Sequence, residues 1–152
     1  MISESDYWKG RDTQYPCSEE VRTNAVITLR KVNTLLGMAK KDDIPCDKCS
    51  SGWRPLGIND KTANTAKGSK HISGQAIDVF DPERRLAQWC LDNLLLLGKC
   101  ALYMEDPRWT PTWVHLQIVP PVSGKRVYIP STAPATAPSL RGQKITPNII
   151  KI

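Results

Sequence analysis

Val21, Ala25, Leu29, Val32 and Leu36 recur at spacings of three and four, which predicts a helix with one apolar face. Ser18 is placed to cap it, and Glu19 and Glu20 occupy the first turn, where the helix dipole favours acids. Gly37 and the run Lys40-Lys41-Asp42-Asp43 close it. Further on the period changes. Residues 52–55 read as a short strand ending at Pro55, and residues 75–80 as a second strand. Asp81-Pro82-Glu83 is a helix start, with a capping acid, a proline in the first turn and an acid after it. That helix is expected to run to Leu97, stop at Gly98, and bury Leu86, Trp89, Cys90 and Leu94. Residues 101–105 and 113–119 then read as a hairpin with a proline-bounded loop, and 126–129 as a last short strand. The order predicts an α+β domain.

Between these elements, residues 56–69 form a long stretch rich in Asn, Asp, Thr, Gly and Lys; loops of that length inside a compact domain are usually functional. Residues 131–138 contain only Ser, Thr, Ala and Pro, a linker or tail, and 145–152 turn apolar again. The expected organisation is an N-terminal arm over residues 1–17, one folded domain over 18–130 and a tail over 131–152.

At 152 residues and 40% hydrophobic, the chain has the length of one domain and enough apolar side chains for a core, which excludes wholesale disorder. No stretch approaches the ~20 apolar residues of a membrane span. The start, Met1-Ile2-Ser3-Glu4-Ser5-Asp6, lacks the basic and apolar regions of a signal peptide, so the expectation is a soluble chain made in the cytosol. Five cysteines without an export signal argue against a disulfide framework. The pair Cys46 and Cys49 has no second close pair to complete a structural zinc site, so ordinary thiols are the first reading, with a redox pair or a shared zinc site as the alternatives. The formal charge is +6, but Lys and Arg are scattered and no basic stripe with interleaved aromatics appears, so no nucleic-acid partner is expected. Nothing in the pattern sets an oligomeric state.

The chemistry concentrates at the only two histidines, His71 and His115. His71 lies in Ser69-Lys70-His71-Ile72-Ser73-Gly74-Gln75-Ala76-Ile77-Asp78, and His115 in Thr112-Trp113-Val114-His115-Leu116-Gln117. His71, Asp78 and His115 are a candidate His-Asp-His zinc set; two histidines taken alone are more often plain core or surface residues. Three protein ligands are what a catalytic zinc uses. Two neutral imidazoles and one carboxylate leave such a site with a net positive charge, which favours ionising water near neutral pH. Strand alternation puts Ala76 and Asp78 on one face, and His115 on one face with Trp113 and Gln117.

The string Ser-x-His-x-x-Gly-x-Ala-x-Asp, carried by Ser69, His71, Gly74, Ala76 and Asp78 and followed by Trp113-Val114-His115, resembles the M15 zinc peptidases. That group includes D-Ala-D-Ala carboxypeptidases, vancomycin-resistance D,D-dipeptidases and phage L-alanyl-D-glutamate endolysins. Ser51-Gly52-Trp53-Arg54 resembles the family's Ser-Gly-aromatic-Arg strand, so the likeness spans about residues 18–130. It implies a small single domain of the hedgehog/D-Ala-D-Ala peptidase type, an antiparallel sheet with helices packed on one side. It implies one Zn2+ held by His71, Asp78 and His115, and Arg54 binding substrate or oxyanion; a surface ion pair is the plain alternative for Arg54. Ser69 would hydrogen-bond near the site, and Gly74 would make the turn that delivers His71 and Asp78 to one metal; both also have purely structural readings.

One position departs from the family. Many members carry Glu or Asp three residues before the second histidine as general base, and here that residue is Thr112. A hairpin register that sets Glu105 opposite His115, with Cα atoms ~4.5–5.5 Å apart, offers Glu105 as the base. A slip by one residue offers Asp106 instead, although Asp before Pro is also an ordinary turn start. The resemblance implies hydrolysis of peptidoglycan stem peptides, as a carboxypeptidase or an endopeptidase, and the +6 charge suits an anionic bacterial wall. With no signal peptide, the expected source is a phage or prophage, the enzyme being released to the wall or carried on the particle. The competing expectation, motivated by Thr112, is a zinc-containing wall-binding or virion structural module whose catalysis has lapsed.

Overall fold

The computed structural model describes residues 1–62 and 67–131. The tail from residue 132 onward, including the apolar stretch 145–152, lies outside the described residues. The N-terminal arm carries two short helices, α1 (Glu4–Trp8) and α2 (Arg11–Gln14). It is tied into the domain: Tyr7 and Trp8 are buried, and the Tyr7 hydroxyl donates to the Ala76 carbonyl. The predicted amphipathic helix is α3 (Glu19–Lys41). The Ser18 hydroxyl accepts from the Val21 N–H, Glu19 and Glu20 stand in the first turn, and Lys40 and Lys41 in the last, complementing the dipole at both ends. Ala25, Leu29, Val32, Leu35, Leu36 and Ala39 are its buried face.

Strand β1 (Cys49–Ser51) lies just before the expected 52–55 segment, and a short helix, α4 (Leu56–Asn59), begins the polar stretch. Strand β2 (Ala76–Phe80) falls where it was predicted. The next helix starts later than its capping signal suggests and is broken in two, α5 (Arg85–Asp92) and α6 (Leu94–Lys99). Asp81 still caps it: its carboxylate accepts from the Leu86 and Ala87 N–H groups, reaching over a turn in which Arg84 is left-handed, φ 61°. The break at Asn93 rotates the helix phase, so Leu97 is buried and Leu94, expected inside, is 38% exposed. Strands β3 (Tyr103–Glu105), β4 (Trp113–Gln117) and β5 (Val127–Tyr128) complete the domain.

The sheet order is β1-β2-β4-β3-β5. The α+β expectation holds, but the sheet is mixed rather than antiparallel, because β5 runs parallel to β3. After β4 the chain reverses. Both edges of β4 are already taken, by β2 and β3, so the returning chain adds at the outer edge of β3 and shares its direction. Ile77, Val79, Met104, Val114 and Leu116 join the apolar residues of α3, α5 and α6 in one core. Alternation sends Asp78 and His115 to the opposite face. No helix among the described residues is long and apolar enough to cross a membrane.

Candidate metal centre

Asp78 is the middle residue of β2, and its Cα partner across the antiparallel ladder is His115, the middle residue of β4. Two side chains thirty-seven positions apart therefore meet by strand register alone. His71 arrives differently, from the turn before β2. Gly74 closes that turn at φ +74°, and a Cβ there would lie 2.6 Å from the Val21 carbonyl oxygen of α3, so any side chain is excluded. The turn is fastened to α3 by Thr28, whose hydroxyl donates to the Gly74 carbonyl, and by Asn24, whose amide donates to Ser73 O. From the other side residues 52–54 grip it: Trp53 Nε1 donates to Ile72 O, and Arg54 N to His71 O. On its other side Gly52 lies against α1, where a Cβ would overlap the Tyr7 carbonyl oxygen.

The donor atoms converge. His115 Nδ1 lies 2.8 Å from Asp78 Oδ1, and His71 Nε2 lies 3.2 Å from Asp78 Oδ1 and 3.3 Å from His115 Nδ1. Ligands on a tetrahedral zinc at ~2.0–2.1 Å stand about 3.3–3.4 Å apart, so the spacing approximates one face of such a tetrahedron. Outer partners point the right nitrogens inward. His71 Nδ1 faces the Gly52 carbonyl at 2.7 Å, an acceptor only, so Nδ1 carries the hydrogen and Nε2 is bare. His115 Nε2 faces Gln117 Oε1 at 3.4 Å, which leaves Nδ1 bare. Three lone-pair atoms thus meet in a buried place, with His71 1%, Asp78 7% and His115 8% exposed. In the neutral tautomers that these outer contacts favour, acceptors meet with no donor between them, and a metal cation, or a proton shared between His115 and Asp78, relieves their repulsion. The group could hold a metal ion, and it is the one group of three or more His, Cys, Asp or Glu side chains among the described residues with ligand spacing.

Burial alone would raise the Asp78 carboxyl, but the two histidines outweigh it and hold the group below the ordinary carboxylate range. Burial lowers His71. Burial also opposes the charged form of His115, yet the shorter hydrogen bond to Asp78 and its charge prevail and raise it. A metal entering here displaces any proton held between these groups, so binding is expected to release protons.

Around the triad, the β3–β4 ladder pairs Tyr103 with Gln117 and Met104 with Leu116, the register that sets Glu105 beside His115. Glu105 in turn pairs with Tyr128 across the parallel ladder. Ser51, Asp78, His115, Glu105 and Tyr128 thereby form one row across the sheet. Burial raises the Glu105 carboxyl, against the pull of His115 and Arg54. Arg54 donates through Nη2 to Ser69 Oγ at 3.4 Å, and its buried Nε has no hydrogen-bond partner among the described residues. Asp106, the other candidate base, is spent locally: its carboxylate pairs with Arg108 at 2.6 Å and accepts the Arg108 N–H in the loop. Thr112 is exposed and uses its carbonyl to accept the Asp81 N–H. All five cysteines are free thiols.

Sequence reasoning overlooked Gln117 and Tyr128. Gln117 was visible as the next residue on the face of His115, a weak signal; Tyr128 reaches the site only through the parallel pairing of β5. No family model, curated protein or solved structure matches this chain.

Proposed function

We propose that this protein is a zinc-dependent peptidase that hydrolyses bonds in the stem peptides of bacterial peptidoglycan. The observation that carries the reading is the meeting of three ligand atoms, on His71, Asp78 and His115, in a buried site whose outer hydrogen bonds favour the histidine tautomers with their inward nitrogens bare. The donor set of two imidazoles and one carboxylate suits zinc, and three protein ligands suit a catalytic rather than a closed structural site. The substrate class comes from the likeness of the Ser69–Asp78 string and the Trp113–His115 segment to the M15 peptidases. A phage or prophage source, with the enzyme released to the wall or carried on a particle, belongs to the same proposal.

His71 Nε2, Asp78 Oδ1 and His115 Nδ1 would hold the ion. When bound, zinc supplies Lewis-acid chemistry, polarising a carbonyl and making water more acidic. Glu105 stands beside His115 and takes the proton from the attacking water, then passes it to the leaving amine. Its buried setting raises its proton affinity, which suits a group that must both accept and donate near neutral pH. Arg54, with an uncommitted Nε, binds a substrate carboxylate or carbonyl through its planar fork.

The test is incubation of the purified full chain with peptidoglycan, with and without a chelator, while new amino termini are followed. Free D-Ala indicates a carboxypeptidase, and a new D-Glu amine an endopeptidase acting after L-Ala. His71→Ala or Asp78→Ala should abolish both cleavage and zinc content; full activity in either would sink the metal assignment. Thr112 motivates the second reading, a wall-binding or virion structural module. Zinc uptake and wall binding with no new amino termini would favour it.

A further inference from the structure

We infer that Gln117 and Tyr128 are positioning residues that fix the metal-binding form of His115; this rests on the metal site proposed above. An isolated neutral imidazole carries its hydrogen on either nitrogen, and only the form with the hydrogen on Nε2 presents a bare Nδ1 to Asp78 and His71. Among the described residues, His115 Nε2 has one hydrogen-bond partner, Gln117 Oε1, at 3.4 Å. Which end of the Gln117 amide faces the ring is therefore decisive. Turned over, its NH2 would meet the imidazole N–H, or draw the hydrogen to Nδ1 and close the ligand position.

Two contacts hold the amide in the useful orientation. Gln117 Nε2 donates to the Val119 carbonyl at 2.6 Å, and a carbonyl accepts only, so the NH2 end must lie there. The Tyr128 hydroxyl donates to Gln117 Oε1 at 2.7 Å from the other side. Tyr128 is placed by its pairing with Glu105 in the parallel β3–β5 ladder. Gln117 is 5% exposed, so bulk water does not readily replace either contact. The edge strand β5, which supplies no ligand, thus completes the metal site through a three-member relay from Tyr128 to Gln117 to His115. Burial raises the Tyr128 hydroxyl, which keeps it a donor across the working pH range.

The experiment uses the full chain loaded with zinc and a chromophoric chelator as competitor. Gln117→Met keeps the side-chain length and removes the acceptor. It should weaken zinc binding by ~10–100-fold, the usual loss when an outer partner of a ligand histidine is removed. Tyr128→Phe should weaken it less, in the same direction. Gln117→Glu returns an acceptor to Nε2 but sets its second oxygen against the Val119 carbonyl, so it should recover only part of the loss. Nitrogen-15 spectra supply a readout that general loosening of the fold does not imitate. In the wild-type zinc form His115 should show a slowly exchanging Nε2–H, and in Gln117→Met that signal should exchange rapidly. Wild-type zinc binding with unchanged affinity and an unchanged Nε2–H signal in Gln117→Met overturns the relay alone. Failure of the wild-type chain to take up zinc overturns the relay and the proposed function together.

Discussion

Gly52→Ala is the most informative single substitution, because one added methyl tests the fold and the metal centre at once. The new Cβ would overlap the Tyr7 carbonyl oxygen and lie 2.8 Å from both the carbonyl carbon and Cα of Tyr7. Non-bonded carbons rest at ~3.5–4.0 Å, so the two backbones must part by roughly 1 Å. The obstructing atoms are main chain, and no rotamer change relieves them. Overpacking of this kind costs about 2–3 kcal/mol. For a chain of this size that lowers Tm by about 4–12 °C. The same shift pulls the Gly52 carbonyl from His71 Nδ1, a contact of 2.7 Å that sets the ring with Nε2 bare. Zinc affinity should therefore fall by ~10–100-fold as well. Calorimetry of the metal-free chain reads the first effect, and chelator competition reads the second. A wild-type Tm would refute the close approach of α1 to Gly52. A lowered Tm with wild-type zinc affinity would refute the role given to the Gly52 carbonyl.

Four further outcomes are expected. Glu105→Gln should retain zinc while slowing peptide hydrolysis by ~10²–10⁴-fold; full activity would move the base to another group. Because burial raises Glu105, its carboxyl in the metal-free chain should titrate at a higher pH than an ordinary glutamate, which carbon-13 NMR can follow; titration at the ordinary value would contradict the burial. Asp81→Ala strips the Leu86 and Ala87 N–H groups of their shared acceptor and should cost about 2 kcal/mol, seen as a lowered urea midpoint. The cysteines should be sluggish nucleophiles: burial pushes Cys49 up to about 12 and raises Cys46 and Cys90 too, so thiolate is scarce at pH 8. Mass spectrometry after alkylation should find these three unmodified until the chain unfolds; rapid labelling of Cys46 and Cys49 in the folded protein would revive a redox role for the pair.

Local patterns declared much of the molecule. The capped helix α3 was legible because its apolar period, its Ser18 cap and its terminal charges are all set by neighbours within a few positions. The faces of β2 and β4 were legible because alternation is a property of the strand itself, whereas the β3–β4 register, across a seven-residue connection, was open by one residue until the ladder fixed it. Those rules were enough to nominate His71, Asp78 and His115, and to narrow the neighbouring carboxylate to Glu105 or Asp106. What they left open depends on contacts between distant segments. Arg84 enters a left-handed turn because its side chain is drawn inside, where it donates to the Pro107 carbonyl, and the helix start moves with it. The aromatic residues of the N-terminal arm point to an arm packed on the domain, but where Tyr7 and Trp8 are buried is set by the core that the rest of the chain supplies. The nitrogen that each histidine bares is chosen by Gly52 and Gln117, and Gln117 is held by Tyr128. Tyr128 arrives only because β4 has no free edge when the chain returns. The residue types of a metal centre can be read along the chain; which lone pairs meet is decided by packing and register in three dimensions.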